Sequence, residues 1–305
     1  MKKTVMQYRS VYAPLCIILI LILSPGAVRA REGSPAAVKK HFLWSVETKR
    51  NTIYLLGSIH LLKKDSYPLP RVIESVYDCC PKLVFETDLD GMNSPEMQSL
   101  MIKSGLYPQG QTLTRHISRE TYTLLDRKLK QSGLSVSRID QFRPWFAAQA
   151  IASSELLRLG FEPGLGIDRY FFDRAVRDRK ERIFLETNIY QMNLFAGLGT
   201  ESQEKLLNQI LKDLDVVEQK FSEIINAWES GDYEGLASIM SESFKEYPDL
   251  YRRLVTDRNR KWISKIQRLM RQDDDVLIVV GAAHLAGKDS VVELLRKKGY
   301  EVRQR

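Results

Sequence analysis

The sequence predicts an α/β protein: a central mixed sheet flanked by helices, with a large helical insertion. Three observations carry this. Four compact apolar runs, Ile53 to Leu56, Leu83 to Phe85, Ile183 to Leu185 and Val276 to Val280, have the length and composition of buried strands. Stretches of helical period separate them, as in sheets whose strands are joined across their faces. The run Ile53-Tyr54-Leu55-Leu56 is apolar on both faces, the mark of a central strand covered on each side.

Residues 1–30 stand apart from this pattern. Lys2, Lys3 and Arg9 precede the apolar run Ala13 to Leu23; Ser24-Pro25-Gly26 and Val28-Arg29-Ala30 follow. That is the plan of a secretory signal peptide cleaved after Ala30. The apolar run is shorter than the roughly 20 residues that span a bilayer as a helix. An exported protein, periplasmic or secreted, is expected; an uncleaved leader would make it an N-terminally anchored one, its only membrane attachment. The leader holds four basic and no acidic residues, so the formal +8 of the whole chain becomes +4 without it. The remaining basic residues are scattered among acidic ones, with no aromatic-interleaved basic stripe, which argues against a nucleic-acid partner.

Residues 31–41, rich in Pro, Ala, Gly and Lys, read as a linker, and residues 42–305 as one domain. Phe42 to Glu47 and Thr52 to Leu61, with the polar Thr48-Lys49-Arg50-Asn51 between them, read as a hairpin leading into the central strand. Pro68 and Pro70 open a helix over Arg71 to Cys80, and Pro81 ends it before the strand at Leu83 to Phe85. Helices follow at Ser118 to Gln131, Pro144 to Leu159 and Asp168 to Lys180, then a strand at Arg182 to Glu186 and helix again over Ser202 to Arg271 with breaks near Gly231 and Pro248. The last strand, Val276 to Val280, is followed by a helix from Asp289 to Lys298, Gly299 as its C-cap, and an edge strand at Tyr300 to Arg303. Beyond the leader only Cys79 and Cys80 remain. Adjacent cysteines make a strained disulfide, so they read as two small buried residues at a helix end.

Each of the four buried strands runs into a residue that can bind a metal or move a proton: His60, Glu86, Glu186 and His284 in chain order. Open α/β sheets bind ligands at the carboxyl ends of their strands, where the connecting loops diverge. Both histidines occupy the last position of a Gly-x-x-His frame, Gly57 to His60 and Gly281 to His284, and glycine at a strand exit allows backbone angles or close approaches that a β-carbon forbids. His41 and His116 lack that context and read as surface residues. Two imidazoles and a carboxylate suit a divalent transition ion such as zinc, manganese or cobalt, with positions left for water and substrate. Glu86 is placed first as ligand or base. Glu186 is second, because it can also cap a helix predicted at Asn188 to Phe195. No His-Glu-x-x-His signature is present, and Ser58 has no Gly-x-Ser-x-Gly context.

The segments Tyr54-Leu55-Leu56-Gly57-Ser58-Ile59-His60, Phe85-Glu86-Thr87-Asp88, Gly166-Ile167-Asp168-Arg169-Tyr170, Leu185-Glu186-Thr187, Arg258-Asn259-Arg260 and Gly281-Ala282-Ala283-His284-Leu285 resemble, in order and spacing, the TraB/GumN family. That family includes the PrgY pheromone-inhibition proteins and the TIKI Wnt-inactivating proteases. The resemblance implies an α/β fold related to the erythromycin esterase and ChaN-like proteins, and TIKI members are metal-dependent peptidases. By position it assigns the site to His60, His284 and Glu86, with Glu186 and Arg258 in support. Arg258 would balance the carboxylates or hold an anionic part of the substrate; a solvated helix arginine is the plain alternative.

Three functions follow. The first is an exported metal-dependent hydrolase, most simply a peptidase, acting on a peptide or small molecule. The second is a non-catalytic protein that sequesters such a ligand. The third is a metal-independent esterase-like hydrolase with His60 as general base and Glu86 or Glu186 as its partner.

Overall fold

The computed structural model describes residues 40–305. The signal-peptide reading of residues 1–30 therefore lies outside the described residues. The rest gathers into two compact units, one formed by residues 40–88, Phe161–Thr187 and Glu218–Arg305, the other by Leu89–Gly160 and Asn188–Val217. Among the described residues no helix is long and apolar enough to cross a membrane.

The first unit holds a six-stranded mixed sheet: β1 (Leu43–Glu47), β2 (Thr52–Ser58), β3 (Lys82–Phe85), β4 (Glu181–Phe184), β5 (Val276–Gly281) and β6 (Arg303–Gln304), in the order β4-β3-β5-β2-β1-β6. β1 and β2 form the expected antiparallel hairpin, from Leu43↔Leu56 to Glu47↔Thr52. Its turn is closed by Thr48 Oγ1 donating to the Asn51 carbonyl at 2.9 Å. β2, β5, β3 and β4 run parallel to one another. All six residues of β5 are buried, which is why its sequence is an unbroken apolar run rather than an alternating one.

Helices α1 (Arg71–Cys79), α2 (Ile167–Arg177), α3 (Val217–Glu229), α4 (Tyr233–Ser243), α5 (Asp257–Leu269) and α6 (Val291–Lys297) accompany the sheet. α1 starts on Pro70 and buries Ile73, Val76 and Tyr77, one amphipathic face. The five residues before α5, Arg252–Thr256, form a π-helical turn, a widening often found beside functional residues. β4 ends at Phe184, short of the predicted Glu186, yet its ladder continues through Leu185 N–H to the Phe85 carbonyl and Glu186 N–H to the Glu86 carbonyl. The predicted edge strand is displaced to Arg303–Gln304, which pairs with β1 at Ser45 and Trp44.

The second unit is helical, as the predicted insertion requires: Pro95–Gly105, Arg119–Gln131, Pro144–Arg158, Asn188–Ala196 and Thr200–Asp213 are its longer elements. Ser118 is the N-cap of the second, accepting from Thr121 N–H at 3.2 Å. The first was not anticipated, because Met97 and Met101, with Gly105 at its end, are all that mark its buried face against polar neighbours; Ser94 and Pro95 supply its cap and first turn. His116 is half-buried here, stacked on Tyr107. Of the cysteine pair, Cys80 is buried as expected, whereas Cys79 is exposed.

Candidate functional site

The four chemistry-bearing strand exits converge at one edge of the sheet. β2 and β5 are parallel neighbours with Ser58 opposite Gly281, so the loops that carry His60 and His284 leave the sheet side by side. β3 flanks β5 on its other side and delivers Glu86; β4, next to β3, delivers Glu186. α5 brings Arg258 into the same space, where its side chain is 2% exposed.

Arg258 spends its whole donor set there. Nε–H is 3.0 Å from each Glu186 oxygen. Nη2 donates to Glu186 Oε2 at 2.8 Å and Glu86 Oε2 at 2.5 Å. Nη1 donates to the Leu254 carbonyl and to His284 Nε2, both at 3.0 Å. A guanidinium offers five N–H groups in a rigid fork, and a buried one is tolerated only when they are met. Trp262 Nε1 adds a hydrogen bond to Glu186 Oε1 at 2.9 Å. Glu186 is thus committed to Arg258 and Trp262, an ion-pair role that its position at the strand end did not separate from helix capping.

Glu86 keeps one oxygen toward the strand exits: Oε1 accepts the Gly281 N–H at 2.7 Å and lies 3.8 Å from His284 Nε2. Burial works against its charge, but Arg258, the two imidazoles and the Gly281 amide outweigh it and hold the carboxyl well below the usual carboxylate range.

The two histidines are held alike at Nδ1 and differently in charge. His284 Nδ1 stands 2.6 Å from Asn259 Oδ1, an amide orientation fixed by Asn259 Nδ2 donating to the Asp289 carbonyl at 2.9 Å. Nδ1 therefore carries the proton and Nε2 the lone pair that Arg258 meets. Burial, reinforced by the charge of Arg258, pushes this imidazole down to about 3. His60 Nδ1 faces Asp168 Oδ2 at 2.9 Å. Burial works against a charged His60, yet the Asp168 carboxylate, by its charge and hydrogen bond and with Glu86 behind it, lifts the imidazole to about 9. Its side chain is 23% exposed, the most open of this group.

The glycines of the repeated frame act through close approach. A β-carbon on Gly57 would overlap the Phe42 ring and stand 3.2 Å from Ala282 Cα, a matter of packing. On Gly281 it would stand 3.3 Å from both Glu86 Oε1 and His60 Nε2 and 3.6 Å from His284 Cδ2. The missing β-carbon thus leaves a recess lined by the very groups that the sequence singles out.

His60, Glu86, Glu186, Arg258 and His284 are all brought together in this one unit. Sequence reasoning missed the partners Asp168, Asn259 and Trp262. Two of them were within reach, since Asp168 lies in the quoted Gly166-Ile167-Asp168 segment and Asn259 follows Arg258 directly. Ser58 is buried, with an Oγ that meets no hydrogen-bond partner among the described residues, which does not suit an open nucleophile.

Among the described residues no three His, Cys, Asp or Glu side chains form a ready metal-ligand group. The donor types nevertheless fit a divalent transition ion in an open site. His60 Nε2 and Glu86 Oε1 border the Gly281 recess, and both imidazoles have Nδ1 tied to an oxygen acceptor, the arrangement that turns Nε2 toward an ion. His284 Nε2 would join them only where Arg258 Nη1 gives it up.

Comparison with known proteins finds several distant relatives over most of the chain. The chain is 22% identical over 302 residues to an uncharacterized protein of Treponema pallidum, covering 93% of this chain and 90% of the relative. It is 24% identical to the uncharacterized protein YbaP of Escherichia coli, over 80% of this chain and 87% of the relative. It is 23% identical to a protein of Amphimedon queenslandica named Metalloprotease TIKI homolog, over 94% of this chain but 66% of that longer relative. No solved structure matches it significantly. The family model matches residues 42–304, almost all of the described residues, and the chain belongs to the TraB/PrgY/gumN family.

Proposed function

We propose that the chain is an exported, metal-dependent hydrolase that cleaves a peptide. The observation that carries this reading is the shared recess at Gly281, where His60 Nε2 and Glu86 Oε1 stand at the same 3.3 Å from one point. Two donors of different charge meeting in a glycine-lined recess suit an ion and a reacting water better than they suit packing. The named metalloprotease relative supports the peptidase part, and the leader supports export.

His60, once its Nε2 proton is displaced, and Glu86 would hold the ion, with His284 as the third donor. When bound, it would supply Lewis acidity, lowering the pKa of a water and polarising a carbonyl. The chain's own groups do the rest. Arg258 keeps Glu86 ionised and turned so that Oε2 is spent on the guanidinium and Oε1 points to the recess. Glu186 completes the charge balance of Arg258, its two oxygens taken up by the guanidinium and the Trp262 indole. Asn259 holds His284 in one tautomer, with Nε2 as acceptor.

Elemental analysis of the purified protein, paired with mass analysis of a peptide library before and after incubation, tests this. One equivalent of a divalent ion and new cleavage products are expected, both lost in His60→Ala and His284→Ala. A folded protein that stays ion-free under metal-replete conditions overturns the metal part; a ligand bound and recovered intact favours sequestration instead. The hold of Arg258 on His284 Nε2 favours a second reading, metal-independent hydrolysis with the His60–Asp168 pair as acid and base. Hydrolysis that survives rigorous chelation would decide for it.

A further inference from the structure

We infer that Asp168 is a positioning residue of the site, fixing the His60 ring so that Nε2 faces the recess at Gly281; the inference rests on the proposed ion-binding role of His60. Oδ2 of Asp168 stands 2.9 Å from His60 Nδ1. Asp168 lies in the first turn of α2, where the exposed amide ends of the helix favour an anion.

The backbone is built to bring these two residues together. Ile167 N–H donates to the Ile59 carbonyl at 3.0 Å, tying the start of α2 to the residue before His60. Gly166 lies so close to the His60 carbonyl that a β-carbon there would overlap it. Leu62 and Glu162 form an isolated antiparallel bridge, and Tyr67 Oη donates to the Leu165 carbonyl at 2.7 Å. These four contacts hold the loop that carries His60 against the segment that leads into Asp168.

The carboxylate itself argues against a purely structural ion pair. Asp168 Oδ1 is buried and meets no hydrogen-bond partner among the described residues, while Oδ2 is spent on the imidazole. A buried acceptor left in that state works against the fold and is uncommon outside functional sites. An amide would have served to hold the ring, as Asn259 does for His284. A carboxylate behind an imidazole does more, since it also raises the donor strength of the opposite nitrogen toward an ion.

The test is the Co2+ affinity of the full mature chain, followed by the visible absorption of the bound ion and by competition with a chelator, in wild type, Asp168→Ala and Asp168→Asn. Loss of the partner is expected to weaken binding about 10- to 100-fold in Asp168→Ala, with partial recovery in Asp168→Asn, which keeps an acceptor at Oδ1. A second readout needs no ion: the downfield proton resonance of a carboxylate-bound His60 Nδ1–H, present in wild type and absent in Asp168→Ala. If Asp168→Ala does not fold, Asp168→Asn carries both measurements. Wild-type affinity in a folded variant, or an unchanged Nδ1 resonance, overturns the inference. If wild type binds no Co2+, the ion-binding reading falls, and the resonance alone then decides whether Asp168 holds His60.

Discussion

Nη1 of Arg258 donates to Nε2 of His284 at 3.0 Å, so a guanidinium and a neutral imidazole meet head-on in the interior. The same arginine lies between Glu86 and Glu186. Its positive charge does two opposed things: it holds the Glu86 carboxyl well below the usual range while pairing with Glu186, and it competes with any other cation for His284.

Removing that charge should therefore cost stability first. Arg258→Met is expected to lose on the order of 3–5 kcal/mol, the usual cost of leaving buried charges without their partner. Arg258→Lys should fall between, because an ammonium keeps the charge but has three donors for a space that uses five. Urea unfolding of the three proteins checks this, and a Met variant as stable as wild type would mean that the carboxylates are satisfied elsewhere.

The two glutamates are expected to separate under the same isosteric change. Glu86→Gln alters the oxygen that faces the recess, so ion binding and hydrolysis should fall by about 10²- to 10⁴-fold. Glu186→Gln alters only the seat of Arg258 and Trp262; stability should fall by about 1–3 kcal/mol with activity within roughly tenfold of wild type. Activity and melting curves of both variants, measured together, distinguish the roles. A reversed pattern would transfer the reactive role to Glu186.

The order in which these residues could be read from the sequence has a physical basis. His60, Glu86, Glu186 and His284 were legible because parallel strands have a polarity: an apolar run that ends in a polar residue places it at the ligand edge without any further information. What the pattern lacks is the depth of each group. Glu86 and Glu186 end equivalent strands, and only the approach of α5 decides that one carboxylate takes the Arg258 fork and Trp262 while the other keeps an oxygen at the recess. Asp168 was missed for a related reason. It begins a helix far along the chain from His60, and the contact depends on a close approach at Gly166 that no periodicity records. The helix at Pro95–Gly105 was missed because its buried side is thin.

The pH dependence of the ion-free protein follows from the two imidazoles. His60 is raised in the fold from an ordinary 6.5 to about 9, so its contribution is complete below 6.5 and is lost as the pH rises through 9. His284 is depressed to about 3, so its contribution is complete above 6.5 and is lost as the pH falls toward 3. Glu86, held below the carboxylate range, adds to the acid loss. The melting temperature should peak near neutrality and decline on both sides. His60→Gln should remove the alkaline decline and leave the acid one; an alkaline decline that persists in this variant would assign it to another group.

The repeated Gly-x-x-His frame makes the last prediction, because its two glycines serve different ends. Gly281 has a φ of −51°, which any residue adopts, so alanine there meets no backbone penalty. Its β-carbon would enter the recess 3.3 Å from Glu86 Oε1 and His60 Nε2. Gly281→Ala should fold, with the Glu86 and His60 side chains giving way by a few tenths of an ångström, and bind an ion at least about tenfold more weakly. Gly57→Ala should do the reverse: the new methyl meets the Phe42 ring and the Ala282 backbone, overpacking that costs about 1–3 kcal/mol while the recess keeps its shape. Thermal melts and Co2+ titrations of the pair check the contrast. If Gly281→Ala bound the ion as wild type does, the recess would not be where the ion sits, and the frame would be a packing device at both of its occurrences.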